Sequence, residues 1–308
     1  MPATSGSSPE PAFGAPSMKH HWRGNALVLC SAISFGFMPI FARLAYQNQV
    51  NVRELLLVRF IIAFLAMGAF LLLTGRHVVP TRNQLLVLLV LGAVGYFAQS
   101  TLYFTSLLYI PVSIVALILY TSPPFVVAGS LALGWEKMSF SLAISLTLAL
   151  VGLGLVANPT GNIVLLGVLM ALGASITYTI YILVSTKVLR NVTGEVASFY
   201  VMGAAALSFL LSNSLTGGIN ISWSLEAWIW VLLISVVNTV VAITTFFQGV
   251  RLIGPSRASV ISSIEPVTAI IVASIVFTES LNIYQSVGGF LIVLATLVTA
   301  FSKKTRRH

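Results

Sequence analysis

Charge is scarce in this sequence. Only 7% of its 308 residues are Asp, Glu, Lys or Arg, whereas 57% are apolar. An ordinary soluble domain carries about a quarter of its residues as charges. The shortage excludes that class and points to a chain dissolved in lipid. Acid is scarcer than base, with seven Asp and Glu against sixteen Lys and Arg, a net charge of +9. Such an excess in a soluble protein suggests a nucleic acid. Here the bases fall in loops and tails, where they set orientation across a membrane, so no nucleic-acid partner is expected.

Cysteine is nearly absent. The single Cys30 excludes an intrachain disulfide and reads as a small buried apolar residue. The four histidines, His20, His21, His77 and His308, lie at span ends or in tails. No His, Cys and carboxylate set has metal-ligand spacing, so neither a metal nor a cofactor is expected. A Walker A motif is missing, which leaves ATP no direct role. Gly-x-Ser-x-Gly and His-Glu-x-x-His are missing too, so the chain reads as no enzyme.

What the chain has is apolar runs. Ten lie at about 24–46, 53–74, 83–108, 112–134, 139–157, 163–187, 195–215, 224–249, 255–277 and 283–301. Each is near the ~20 residues that a helix needs to cross a bilayer core of about 30 Å. Their continuous apolarity has no period of two, which favours helices over a barrel. Residues 1–18 are rich in Pro, Ser, Ala and Gly and are expected to be disordered, not a signal peptide. Ten spans place thirteen Lys and Arg on the side of both termini and three, Arg43, Arg53 and Arg59, on the other. That asymmetry predicts cytoplasmic termini. The basic tail 302–308 is expected to touch anionic lipid heads.

One pattern occurs twice. Ile110-Pro111-Val112-Ser113, Pro123 and Glu136 return as Ile253-Gly254-Pro255-Ser256, Pro266 and Glu279, at a constant offset of 143 residues. Gly24 meets Gly167 and Phe104 meets Phe247 at the same offset. Two five-span halves, 19–158 and 163–301, follow. An odd number of spans turns the second half upside down, so an all-α membrane fold of two inverted five-helix repeats around a central cavity is predicted.

The ten spans, the paired halves and the Pro-then-Glu pattern resemble the drug/metabolite transporter superfamily, specifically its EamA group, over about residues 24–301. The nearest type within it is the YddG-type amino-acid exporter. The resemblance implies export of small metabolites, amino acids with aromatic ones included, from the cell inner membrane; the sequence carries no signal of oligomeric state, and a monomer is the default expectation. A proton-coupled multidrug exporter and a lipid-carrier flippase or membrane assembly partner stay open as alternatives.

Candidate site residues follow from polarity at membrane depth. Pro123, Pro124 and Pro266 interrupt spans four and nine, and such breaks face protein or water. Glu265 is the only acid near the membrane centre, and its repeat mate is Ser122. It suits a substrate amine or a proton, or else a neutral structural carboxyl beside the kink. Tyr96, Gln99 and Tyr103 share a helix face, as do Tyr178, Tyr181 and Ser185, and Asn238 and Thr245. Ser113 and Tyr120 share one near the first break. These faces line a cavity or serve as packing glue, and Tyr103 suits an interfacial anchor as well. Arg43 can attract a carboxylate. Arg59 reads as a snorkelling side chain or a partner of Glu54. Gly92, Gly95, Gly152, Gly154, Gly173, Gly203, Gly288 and Gly289 read as close helix contacts.

Overall fold

The computed structural model describes residues 18–75, 79–134, 138–156, 164–188, 192–215, 218–253, 258, 261–262 and 264–301. Both tails, Glu136 and the segment Gly254–Arg257 lie outside the described residues, together with the expectations that fall on them. Among the described residues there is helix and no strand. In hydrocarbon a helix satisfies its own backbone, so apolar runs of this length have no other stable choice.

The first half contains α1 (Met18–Gln47), α2 (Val52–Thr74), α3 (Arg82–Val90), a π-helical segment (Leu91–Tyr96) and α4 (Phe97–Ser106). It continues with α5 (Val112–Leu119), α6 (Ser122–Ala132) and α7 (Phe140–Val156). The second contains α8 (Leu165–Val188), α9 (Gly194–Leu215), α10 (Leu225–Ser235), a second π segment (Val236–Val241) and α11 (Ala242–Ile253). It ends with α12 (Ile264–Phe277) and α13 (Ile283–Phe301). Helix ends carry the expected chemistry. Asn51 accepts from the Arg53 amide, Thr81 and Gln84 form a reciprocal capping box, and Gly75 closes α2 at φ 63.

Seven stretches among the described residues are long and apolar enough to cross a membrane, and three apolar helices are shorter. Large apolar side chains such as Leu65, Leu86, Leu169, Ile180 and Phe290 point outward. The chain is an all-α, multi-pass membrane protein. Cys30, expected inside, is exposed instead. α1 packs through a stripe that includes Gly24, Val28 and Ser31, which contact α11, and Cys30 falls off that stripe.

The helices pack in matched pairs. α1 lies against α11 and α12, and α8 lies against α4 and α6. α2 packs on α9, and α7 on α13. Gly24 meets Leu252 and Ile253, while its repeat mate Gly167 meets Tyr109 and Ile110, their own mates.

α7 and α13 cross backbone to backbone. A β-carbon on Gly152 would lie 2.7 Å from the Gly288 carbonyl oxygen, and one on Gly288 would lie 2.7 Å from the Gly152 oxygen. Gly154, expected at a contact, has nothing within 4 Å of such a carbon. Gly288→Val is therefore expected to destabilise the purified protein by about 1–3 kcal/mol through overpacking. Gly154→Ala should stay within about 0.5 kcal/mol of the parent. Thermal unfolding in detergent measures both.

Candidate functional site

The two broken helices meet. A proline withholds the amide that would bond the carbonyl four residues earlier. Pro123, Pro124 and Pro266 therefore orphan the carbonyls of Leu119, Tyr120 and Ser262. Ser175 Oγ lies 3.5 Å from the Leu119 oxygen and Thr296 Oγ1 lies 3.4 Å from the Tyr120 oxygen, long contacts beside their shorter bonds to Thr121 Oγ1 at 3.0 Å and to the Ile292 carbonyl at 3.1 Å. The Tyr120 hydroxyl donates to the Ser262 oxygen. In span four α6 starts afresh with its prolines in the first turn, where no amide is needed, while in span nine residues just before Pro266, among them Ser263, lie outside the described residues.

Charged and aromatic groups gather beside the breaks. Tyr103 lies within electrostatic reach of both Glu265 and Arg59, and Tyr178 within reach of Glu265 and Tyr96. Rings run in a connected strip. Phe209 stacks on Phe60 at 5.5 Å, Phe60 meets Tyr96 edge-on at 5.4 Å, Tyr96 meets Tyr181 at 5.5 Å, and Tyr181 stacks near Tyr178 at 6.3 Å. Among the described residues, no hydrogen bond reaches the Glu265 carboxylate or the hydroxyls of Tyr96, Tyr103, Tyr178 and Tyr181. None of these oxygens is sealed off either, unlike Asn238 Oδ1 and Thr244 Oγ1. Each of these oxygens keeps some accessible surface.

Other predicted residues divide. Asn238 donates its amide to the Ser34 carbonyl and keeps its buried Oδ1 unpartnered. Gln99 Oε1 accepts from Ser100 at 3.3 Å. Thr245 turns back on its own helix, to the Val241 carbonyl at 2.8 Å, and Ser185 does the same with Ile182 at 2.9 Å. Ser122 is buried in the first turn of α6. Tyr103 is 3% exposed, which removes the interfacial-anchor alternative.

Two arginines differ from expectation. Arg59 was read as snorkelling or paired with Glu54, yet it is 2% exposed. Glu54 instead accepts from the Asn220 amide at 3.0 Å. Arg43 is not free. It pairs with Glu279 at 3.2 Å and stands over the Phe277 ring at 5.4 Å.

Glu279 also takes the amides of Val112 and Ser113, at 2.9 and 3.0 Å, and the Ser113 hydroxyl at 2.8 Å. It caps α5 from the other half and complements the positive end of that helix. The second copy's acid, Glu279, and the first copy's Pro111-Val112-Ser113 segment belong to one contact, made between copies. No local signal links residues 166 positions apart.

A bundle of outward-apolar helices around an interior polar site is the form of a membrane transporter of small molecules. The chain belongs to the EamA-like transporter family, whose model matches it twice, at residues 22–158 and 165–301. An uncharacterized transporter of Archaeoglobus fulgidus is 26% identical over 275 residues, covering 89% of this chain and 95% of that protein. The uncharacterized transporter YwfM of Bacillus subtilis is 27% identical over 259 residues, 79% of this chain and 86% of its own length. A crystal structure at 18% identity superposes with a TM-score of 0.64 over 89% of this chain and 95% of that one, which shows the shared fold.

The cap on α5 sets a test. Glu279→Gln should cost about 1.5–3 kcal/mol, because charge-assisted bonds to two amides and a hydroxyl weaken together. Arg43→Gln should cost no more than about 1 kcal/mol, since the Arg43 side chain is 34% exposed. A double-mutant cycle read by unfolding should couple Glu279 more strongly to Ser113 than to Arg43.

Proposed function

We propose that this protein exports amino acids, with broad specificity that includes aromatic ones, by alternating access across the cell inner membrane. The observation that carries the reading is the unpartnered Glu265 carboxylate. It stands beside Pro266, within electrostatic reach of Tyr103 and Tyr178. A carboxylate at that depth is costly unless a cation or a proton visits it.

In this reading ten spans form two inverted halves, 19–158 and 163–301, with both termini cytoplasmic. The constant repeat offset, the matched packing of α1 and α8 and the double family match support it. Glu265 meets the substrate amine. Tyr96, Tyr103, Tyr178 and Tyr181 hold its apolar side chain, since a tyrosine offers a ring and one hydroxyl. Gln99, Asn238, Ser122, Tyr120 and Thr245 supply polar contacts along the path. Pro123, Pro124 and Pro266 let the half-helices pivot. Arg43 and Glu279 clasp the face opposite the termini, and the clasp parts when that face opens.

Glu265→Gln tests the counter-charge role. In proteoliposomes the variant is expected to lose most L-phenylalanine counterflow, and the remainder should be flat with pH. Unchanged counterflow with an unchanged pH profile would remove Glu265 from both coupling and recognition.

A further inference from the structure

Arg59 is a buried cation with no anion. It lies seven residues inside α2, and its side chain is enclosed by aromatic faces and one hydroxyl. Nε donates to Thr239 Oγ1 at 3.0 Å. The guanidinium carbon stands 5.1 Å from the Phe60 ring centre and 5.0 Å from that of Phe104. The ion pair between Arg43 and Glu279 is the one present among the described residues, and it excludes Arg59. Its two Nη atoms have no hydrogen-bond partner there, yet neither is sealed from open space.

The local structure holds this arrangement in place. The π segment of the eighth span brings Thr239 Oγ1 onto the Ile234 carbonyl at 2.9 Å, which fixes the hydroxyl that receives Arg59. Two rings lie beside the guanidinium, and its Nη atoms, which bond nothing among the described residues, remain for a partner. The fold does not require a charge here. The repeat mate of Arg59 is Met202, which is equally buried at 2%. The same position in the other half is thus filled by an apolar side chain. Glu265, opposite Ser122, breaks the repeat in the same way.

We propose that Arg59 is the anion subsite of the transport path, where its paired Nη groups take the carboxylate of the substrate in a two-bond fork. The strip from Phe60 through Tyr96 to Tyr181 flanks it, so the molecule it takes is a carboxylate with an apolar or aromatic body. The assignment rests on the reading of the space beside Glu265 as the transport site. It moves carboxylate recognition from Arg43 to Arg59.

The test uses purified full-length protein in detergent and in proteoliposomes. Thermal shifts are measured with phenylacetate, phenylacetamide and inorganic phosphate, and counterflow with L-phenylalanine. Wild type is expected to respond to phenylacetate and not to phenylacetamide. Arg59→Gln should weaken the phenylacetate response at least about tenfold, and Arg59→Lys, which keeps the charge without the fork, should fall between. Equal responses to acid and amide in wild type, a response to phosphate alone, or an Arg59→Gln protein that keeps the preference would each overturn the subsite. The Lys variant carries the comparison if Gln does not fold, and a Lys protein indistinguishable from wild type overturns the two-bond fork. A phenylacetate response lost with Arg59, in a wild type that moves no amino acid, supports the subsite and defeats the export reading. Counterflow that persists in Arg59→Gln defeats the subsite and leaves the export reading standing.

Discussion

A peptide carbonyl without a hydrogen-bond donor has no partner in hydrocarbon. Pro123, Pro124 and Pro266 leave three such carbonyls. The Tyr120 hydroxyl of one half donates to the Ser262 carbonyl of the other, while the Leu119 and Tyr120 carbonyls have only long contacts with Ser175 and Thr296. The Tyr120 bond joins the two halves beside their prolines. Backbone that is irregular at membrane depth must be enclosed by protein or wet, and on that ground the neighbouring Glu265, Arg59 and tyrosines are placed along the proposed transport path.

The second crossing contact lies near the face opposite the termini. Glu279 follows the end of α12, yet its carboxylate completes the first turn of α5. A helix start left bare would expose several amides. A single acid from the other half satisfies two of them and a hydroxyl. Motion that separates the halves on this face must first break these bonds.

Much of this was legible in the sequence. Most of the apolar runs mark their helices to within a few residues, because length and apolarity are what the bilayer selects, although α1 starts six residues before its run and the start of the ninth run, 255–277, lies partly outside the described residues. Pro123 and Pro124 mark the restart at α6, whereas Pro39 sits inside the unbroken α1, so a proline alone does not fix a break. Other features left no trace. The π segments at Leu91–Tyr96 and Val236–Val241 carry the same apolar pattern as α-helix. Cys30 sits in a helix apolar on every side, which hides the difference between a lipid face and a protein face. Arg59 looked like an ordinary charge near a span end, and only its enclosure by Phe60, Phe104 and Thr239 shows otherwise. The partners of Glu279 are far away in sequence, although the repetition of its motif was the visible sign that the residue mattered.

The claim at the centre of this account is that the polar space beside the breaks carries amino acids. Counterflow in proteoliposomes tests it most directly. Vesicles loaded with unlabelled L-phenylalanine and containing the purified protein should accumulate external labelled L-phenylalanine, and a panel of other amino acids should compete according to apolar side-chain size. Absence of counterflow for every amino acid, with exchange of lipophilic cations in the same vesicles, would contradict it.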